Sequence, residues 1–213
     1  MSDLPGEPLD PLAGRVESVL ARYGYELETA VEAIDAAVPG HGGLFDPRTT
    51  ATELRDALET LDGEPERPVP PALSGDAAVL YVDGSARGNP GPAGAGAVLQ
   101  TPDGGTLVRL GRPVGSRADN NTAEYAALAM GVEGLLERYG RRRVEVRIDS
   151  MTVIRDVWQD RANAVAGRER YRRAITDRLA RLPGHDWRHL ADSDPNPADA
   201  LATVGADIAG LGP

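Results

Sequence analysis

Residues 78–100 read AVLYVDGSARGNPGPAGAGAVLQ, and this stretch decides the fold. Its apolar runs at 78–82 and 95–100 are short and bounded by glycine, which is typical of β-strands. A third run, TLVRL at 106–110, follows the turn sequence TPDGG at 101–105. The sequence therefore predicts three consecutive antiparallel strands, with Asp83 at the end of the first.

Helical and strand patterns alternate after the third strand. A long helix is predicted from about Asn121 to Gly140, with Thr122 as a candidate N-cap. A strand at 144–148, helices at about 151–164 and 168–182, a strand at 186–190 and a last helix from Pro197 follow. We therefore expect an α/β domain of three antiparallel strands followed by alternating helices and strands.

The N-terminal part of the chain differs from the rest in pattern and in charge. Apolar residues at helical spacing predict three short helices within residues 1–62, and the Pro/Gly-rich stretch that follows favours a linker at 63–76. The α/β domain then occupies 77–213. Residues 1–75 hold 15 acids and 5 arginines, whereas residues 76–213 hold 18 of each. The acidic total therefore does not exclude a nucleic-acid partner for the α/β domain.

Composition excludes several classes of protein. Cysteine is absent, so disulfides, thiolate metal clusters and cysteine nucleophiles are ruled out. The chain lacks an N-terminal export signal, and no stretch of about 18 apolar residues occurs. We therefore expect a cytoplasmic protein without membrane contact.

Four carboxylates lie at predicted strand ends or helix starts: Asp83, Glu124, Asp149 and Asp199. Asp83 and Asp149 each end a strand, so their side chains meet if the two strands are neighbours. Acids in the first turn of a helix, as at Glu124 and Asp199, are compatible with the helix dipole. Clustered carboxylates raise one another's pKa unless cations intervene, and oxygen ligands suit Mg²⁺ or Mn²⁺. The pattern predicts a divalent metal site.

Four segments, in this order, resemble type 1 ribonuclease H. They are DGSARGNPGPAGAGAVL at 83–99, NNTAEYAAL at 120–128, IDSMTVI at 148–154 and NPADALA at 196–202. The resemblance implies a ribonuclease H-like fold, in which a five-stranded mixed sheet is flanked by helices. It also implies endonucleolytic cleavage of the RNA strand of RNA–DNA hybrids, which leaves 5′-phosphate ends. It also implies two Mg²⁺ or Mn²⁺ ions, with Asp83 shared between them, Glu124 and Asp149 completing one site, and Asp199 holding the other.

The basic residues indicate the kind of source. All 23 are arginine, and the net charge is -10, a composition that resembles proteins of high-salt organisms. We expect an archaeal, haloarchaeal form of the enzyme with an acidic N-terminal extension. The resemblance covers nearly all of residues 78–210 and leaves residues 1–75 outside it.

The resemblance further implies which residues contact the hybrid. The candidate substrate-binding residues are Gly84, Ser85, Asn89, Asn120, Asn121 and Ser150. Amide side chains suit paired donor and acceptor contacts in a minor groove, although a turn or cap role remains the alternative for the asparagines. Arg168, Arg170, Arg172 and Arg173 are candidate phosphate contacts, with a solvated helix face as the alternative.

Two departures from the family concern proton transfer. Bacterial members carry a catalytic histidine in the loop before the last aspartate, and some archaeal members have an arginine there. Here the loop reads LADSDPNPAD at 190–199, with Asp192 at the arginine position. His189 is a candidate helper, but aligning Trp187 and Leu190 with the last strand of the family places it inside that strand. His185 is expected in a turn.

Other functions stay open. One is a catalytically silent hybrid-binding or scaffold protein that uses its acidic N-terminal domain to recruit a partner. Another is a different nuclease of the same superfold, although such enzymes space their acids differently. The N-terminal domain itself is expected to contact a protein partner, to pack on the arginine-rich face of the nuclease, or only to aid solubility in high salt.

Overall fold

The computed structural model shows a five-stranded mixed sheet with helices on both faces. It describes residues 4–212 except 41, 62, 64, 66–68, 159–167 and 192. The strands are β1 (Ala77–Ala86), β2 (Gly91–Gln100), β3 (Thr106–Ala118), β4 (Arg143–Ile148) and β5 (His185–His189). Their order is β3-β2-β1-β4-β5; β2 pairs antiparallel with β1 and β3, and β4 pairs parallel with β1 and β5. The predicted fold class is confirmed.

Among the described residues, three helices precede the sheet and four follow its first three strands. They are α1 (Pro11–Arg22), α2 (Leu27–Ala37), α3 (Ala51–Thr60), α4 (Asn120–Tyr139), α5 (Met151–Trp158), α6 (Glu169–Leu179) and α7 (Asp199–Ala209). The predicted end of α5 near 164 lies outside the described residues. Within the part of the chain that the structure describes, no helix has both the length and the apolar character needed to cross a membrane.

Some predicted boundaries are corrected. β1 and β3 extend beyond their apolar runs because backbone pairing with β2 continues through glycine, serine and arginine. α7 begins at Asp199 rather than at Pro197. His185, expected in a turn, begins β5, and its ring meets Trp187 edge-on at 6.0 Å between ring centroids.

The helix α4 is the central helix of the domain, and most of its residues are buried. The carboxylate of Asp119 accepts a hydrogen bond from the backbone N–H of Thr122 at 2.7 Å, so Asp119 is the N-cap and the prediction of Thr122 was wrong. A carboxylate at this position also interacts favourably with the positive end of the helix dipole. The cap fixes the end of α4 that carries Glu124.

The helix α7 lies against β2 at backbone contact distance. A Cβ atom at Gly96 would lie 2.2 Å from the carbonyl oxygen of Ala198 in the approach to α7. Because Gly96 pairs with Asp83 in the sheet register, this contact places the start of α7 beside Asp83. Ala97 points to the opposite face of the sheet, where it approaches Gly131 of α4. The sheet is therefore enclosed between α4 and α7.

The N-terminal segment covers the outer edge of β3. The Glu7 N–H donates to the Val114 carbonyl at 2.7 Å, and the Ser116 N–H donates to the Pro8 carbonyl at 3.1 Å. Further along, Gly111 donates to the Tyr25 carbonyl at 2.9 Å. Buried residues of α1 to α3 and of the sheet form one contiguous hydrophobic cluster.

Residues 5–28 also neutralise or bind arginines of the later elements. The pairs are Glu28 with Arg109, the Pro5 carbonyl with Arg112, Glu26 with Arg138, and Glu7 with Arg170. Of the alternatives open for the N-terminal region, the structure thus shows an intramolecular contact with the α/β part of the chain. The division into 1–62, 63–76 and 77–213 stays a prediction.

Candidate active site

The four predicted acids converge at one end of the inner strands β1 and β4. β1 and β4 are parallel neighbours. Asp83 does not end β1, as predicted, because β1 continues to Ala86; it lies just beyond the last residue of β1 paired with β4, and Asp149 directly follows β4, so the two come together. Glu124 comes from the first turns of α4, and one oxygen from each of Asp83, Glu124 and Asp149 lies within 4.8 Å of the others. Asp199, the first residue of α7, lies near enough to Asp83 for its charge to raise the pKa of Asp83.

Gly84 allows Glu124 to approach Asp83. A Cβ atom at Gly84 would lie 2.3 Å from the backbone nitrogen of Glu124 and 2.6 Å from the carbonyl carbon of Ala123. The backbone N–H of Gly84 acts to lower the pKa of both Asp83 and Glu124. Gly84 therefore has a packing role in the site, and its predicted contact with substrate stays a prediction.

Burial and mutual repulsion favour the protonated acids in the metal-free site. Asp83 is 7% exposed and Glu124 is 4% exposed. Burial, followed by the charges of Asp149 and Asp199, raises the pKa of Asp83 to about 7. Burial, followed by the charges of Asp83 and Asp149, raises the pKa of Glu124 well above its usual range.

These properties fit a divalent cation. Within the described part of the chain, the Oε2 atom of Glu124 is buried without a hydrogen-bond partner, an arrangement that is costly unless another group binds it. Mg²⁺ and Mn²⁺ prefer oxygen ligands of this kind. Asp83, Glu124 and Asp149 are placed to hold one ion, and the charge of Asp199 also acts on Asp83.

Several predicted substrate residues lie around the acids. The side-chain oxygen of Asn89 accepts a hydrogen bond from the Asn120 N–H at 3.4 Å, which joins the loop after β1 to the start of α4. Asn121 is exposed on the same turn, and Ser85 is half-buried in β1. Ser150 accepts from the Val153 N–H at 3.4 Å and so caps α5. Contact of these residues with substrate stays a prediction.

The predicted arginine patch is partly neutralised by the chain itself. Arg168 lies 2.6 Å from the carboxylate of Asp119, and its side chain is only 11% exposed. Its guanidinium also lies over the ring of Tyr125, 5.9 Å from the centroid. Arg170 pairs with Glu7, whereas Arg172 is half-buried and Arg173 is exposed. Arg168 therefore supports the cap of α4, which neither predicted alternative included.

His189 is the last residue of β5, as the alignment of that strand predicted. Its Nε2 atom lies 3.0 Å from the backbone carbonyl oxygen of Asp149. The ring thus supports the backbone of a predicted metal ligand, and a part for it in proton transfer stays a prediction. Asp192, the position matched to the archaeal arginine, lies outside the described residues.

The sequence interpretation missed three residues that shape the site. Asp119 could have been found, because an acid that directly precedes a helical pattern is a cap signal. The side chain of Asn196 donates to the Val82 carbonyl at 3.0 Å. The proline after Asn196 predicts a turn, but it gives no sign of the contact with Val82. Glu7 has no local signal. It lines a surface pocket of about 490 Å³ together with Asn89, Pro90, Arg117, Ala118, Asp119, Thr122 and Arg168.

Comparison with known proteins defines the class. Residues 81–205, more than half of the chain, match the reverse transcriptase-like family, and the chain belongs to that family. Ribonuclease HI of Halobacterium salinarum is 37% identical over 134 residues, which are 61% of this chain and 64% of that protein. A bifunctional protein of Mycobacterium tuberculosis is 32% identical over 147 residues, 59% of this chain and 40% of that protein. The matches thus span less than two thirds of these relatives.

Solved structures agree with the sequence relatives. The ribonuclease H1 of Halobacterium salinarum superposes with a TM-score of 0.57 at 33% identity, over 62% of this chain and 98% of that chain. The LC11 ribonuclease H1, solved in complex with an RNA/DNA hybrid, superposes with a TM-score of 0.56 at 30% identity, over 61% and 96%. The relationship to type 1 ribonuclease H that the four segments predicted is confirmed.

Proposed function

We propose that this protein is a ribonuclease H that hydrolyses the RNA strand of RNA–DNA hybrids and leaves 5′-phosphate ends. The proposal rests on the convergence of four carboxylates just beyond the paired part of β1 and β4. Three of them offer oxygens within 4.8 Å of one another. The relatives support it. One is named ribonuclease HI, and another structure of the same fold holds an RNA/DNA hybrid.

Two Mg²⁺ or Mn²⁺ ions are the proposed cofactors. Asp83, Glu124 and Asp149 would hold one ion, and Asp83 and Asp199 the other. When bound, such ions activate the attacking water and stabilise the leaving oxygen of the phosphate. The chain supplies the negative charge, holds the four carboxylates on neighbouring elements, and shields Asp83 and Glu124 from solvent.

Substrate selection falls to the amides beside the acids. Asn89 and Asn120 are joined by a hydrogen bond, and Asn121 is exposed on the next position of α4. In the proposed complex these side chains contact the minor groove of the hybrid, where the 2′-hydroxyl distinguishes RNA from DNA. Arg173 on the exposed face of α6 is a candidate for phosphate contact.

One assay tests this function. RNA–DNA hybrid, duplex DNA and duplex RNA are incubated with the full chain and either Mg²⁺ or Mn²⁺, from low to molar salt. We expect only the hybrid to be cut, and Asp83→Asn to abolish cleavage. Asp103→Asn is the matched control, because Asp103 lies in the turn between β2 and β3 at the opposite end of the sheet. It should cut like the native chain.

The same assay separates the other functions. Binding of the hybrid without cleavage under every metal and salt condition would identify a hybrid-binding or scaffold protein instead. Cleavage of duplex DNA by the native chain would indicate a different nuclease of this superfold. Loss of cleavage in both Asp83→Asn and Asp103→Asn would show that the substitutions act on folding rather than on the site.

A further inference from the structure

Asn196 joins the strand that carries Asp83 to the helix that carries Asp199. Its side-chain Nδ2 donates to the carbonyl oxygen of Val82, the residue before Asp83, at 3.0 Å. Its Oδ1 accepts from the Ala198 N–H at 3.1 Å, and its own carbonyl accepts from the Asp199 N–H at 3.2 Å. One half-buried amide therefore contacts the backbone on both sides of the Asp83 and Asp199 pair.

The position of Val82 explains why a side chain is needed there. The register between β1 and β4 ends at Tyr81 and Arg147, so Val82 lies one residue beyond the paired part of the two strands. Its carbonyl is at a buried residue, and a buried carbonyl without a partner is costly. The amide of Asn196 supplies the partner after β4 has diverged.

The rest of the contact between α7 and the sheet does not replace this link. Gly96 lets the Ala198 carbonyl lie close to β2, which fixes how near α7 comes to the sheet. Near the far end of α7, the Ser116 hydroxyl donates to the Ala209 carbonyl at 2.9 Å. The hydrogen bond from Asn196 to Val82 acts at the start of α7, on the backbone directly before Asp83, and it is directional.

We propose that Asn196 is a positioning residue that fixes the distance between Asp83 and Asp199 and so determines the metal affinity of that carboxylate pair. The proposal rests on the function proposed above, because it assigns the pair to a metal ion. The side chain of Asn196 contacts the backbone beside the two acids, at the Val82 carbonyl and the Ala198 N–H. Residues that orient metal ligands in this way typically change metal affinity by roughly 10- to 100-fold when they are removed.

Asn196→Ser is the sharpest variant. A serine hydroxyl can still accept from the Ala198 N–H, as in an ordinary turn, but it is too short to reach the Val82 carbonyl. Asn196→Ala removes both contacts. Ser193→Ala, an exposed neutral substitution in the same loop, is the matched control. All are made in the full chain, and thermal unfolding is followed for each.

Two readouts are measured for every variant. The first is Mn²⁺ binding to the protein alone, followed by the loss of the free-ion signal in electron paramagnetic resonance. The second is cleavage of hybrid at varied Mn²⁺. For Asn196→Ser we expect weaker Mn²⁺ binding and an Mn²⁺ requirement for cleavage raised by about tenfold, with KM for hybrid within about twofold of native. Excess Mn²⁺ should restore most of kcat, and Ser193→Ala should match the native chain.

The outcomes are distinguishable. Unchanged Mn²⁺ binding and metal requirement in Asn196→Ser, with or without a lower Tm, overturn the proposal and leave the nuclease function intact. A native chain that does not cut hybrid overturns the nuclease function. If the native chain does not cut hybrid but Asn196→Ser still weakens Mn²⁺ binding, Asn196 positions the metal ligands of a protein that is not this nuclease.

Discussion

At the scale of single residues, two glycines determine whether the acids meet. Gly84 leaves space for the backbone of α4 beside Asp83, and Gly96 leaves space for the backbone before α7. A methyl group at either position would lie within 2.3 Å of a backbone atom, so α4 or α7 would have to move. The carboxylates of Glu124 and Asp199 would move with them. Small residues thus position the site as strictly as the acids do.

The protonation of Asp83 gives a prediction for the metal-free protein. Its pKa is raised to about 7 in the folded chain, mainly by burial, against about 3.9 for an unperturbed aspartate. Between these values the folded state binds more protons than the unfolded state, so this group makes the metal-free protein less stable as pH rises. The loss is complete above about pH 7.

Asp83→Asn removes this titration. We therefore expect the substitution to raise the Tm of the metal-free protein relative to native, by an amount that grows from about pH 4 to about pH 7 and is constant above it. Thermal unfolding in the presence of a chelator measures the difference. Addition of Mg²⁺ at pH 8 should stabilise the native chain more than Asp83→Asn. An equal pH dependence in the two proteins would contradict the burial of an ionisable Asp83.

At the scale of elements, the extended N-terminal segment meets α6. Glu7 binds Arg170 and accepts a hydrogen bond from the Tyr171 hydroxyl at 3.2 Å. It also forms one wall of the pocket that contains Arg117 and Arg168. In the proposed complex, a carboxylate in this position would compete with phosphate for the arginines. We therefore expect the segment to weaken the attraction of α6 for a nucleic-acid backbone.

Glu7→Gln should strengthen hybrid binding. Glutamine keeps hydrogen-bonding atoms near Arg170 but removes the charge, so Arg170 becomes available to a phosphate. We expect a lower Kd at low salt, and a slope of log K against log salt that is steeper by about 0.7 to 0.9. Binding is measured in the Asp83→Asn background so that the hybrid stays intact.

Glu28→Gln is the control for that experiment. It also removes one negative charge that pairs with an arginine, but that arginine is Arg109 on β3. Its salt slope should equal that of the parent. If Glu7→Gln and Glu28→Gln shift the slope equally, only net charge matters, and the contact between Glu7 and Arg170 has no part in hybrid binding.

Local sequence patterns predicted most of the helices and strands, but they could not predict contacts between residues that are far apart in the chain. A glycine after an apolar run is a local stop signal, and α1 ends just before Gly24, where Gly24 and Tyr25 both adopt a φ of 63°. The four acids were recognisable because each follows an apolar strand-like run or lies near the start of a helical pattern. Asn196 and Val82 are 114 positions apart, and Glu7 and Arg170 are 163 apart, so no spacing rule joins them.

At the scale of the whole molecule, the N-terminal helices and the sheet share one hydrophobic cluster. Leu27 of α2 is 2% exposed, and its side chain covers Gly111 on β3. Removal of residues 1–75 would expose this surface of β3 to water. The acidic extension is therefore part of the structural core of the protein as well as a source of charge.

Deletion of residues 1–75 should lower the Tm markedly, because it uncovers the buried surface of β3. Thermal unfolding measures the change.

Leu27→Ala, a milder test, should lower the free energy of unfolding by about 2 to 5 kcal/mol, as the same substitution does at other buried leucines. Val69→Ala is the control, because Val69 is 91% exposed. Chemical denaturation measures the single variants. Unchanged stability, salt optimum and hybrid affinity in the deletion variant would show that the extension serves neither the fold nor the activity.

The cover over β3 also has a consequence for behaviour in concentrated salt. An unpaired strand edge is a template for pairing with a second molecule, and proteins usually guard it with charge. At about 1 M salt the Debye length is only about 3 Å, so charge repulsion no longer keeps such edges apart. Residues 7–8 and 25–26 occupy the edge of β3 with their own backbone. That protection against aggregation is geometric, and it does not weaken as salt rises.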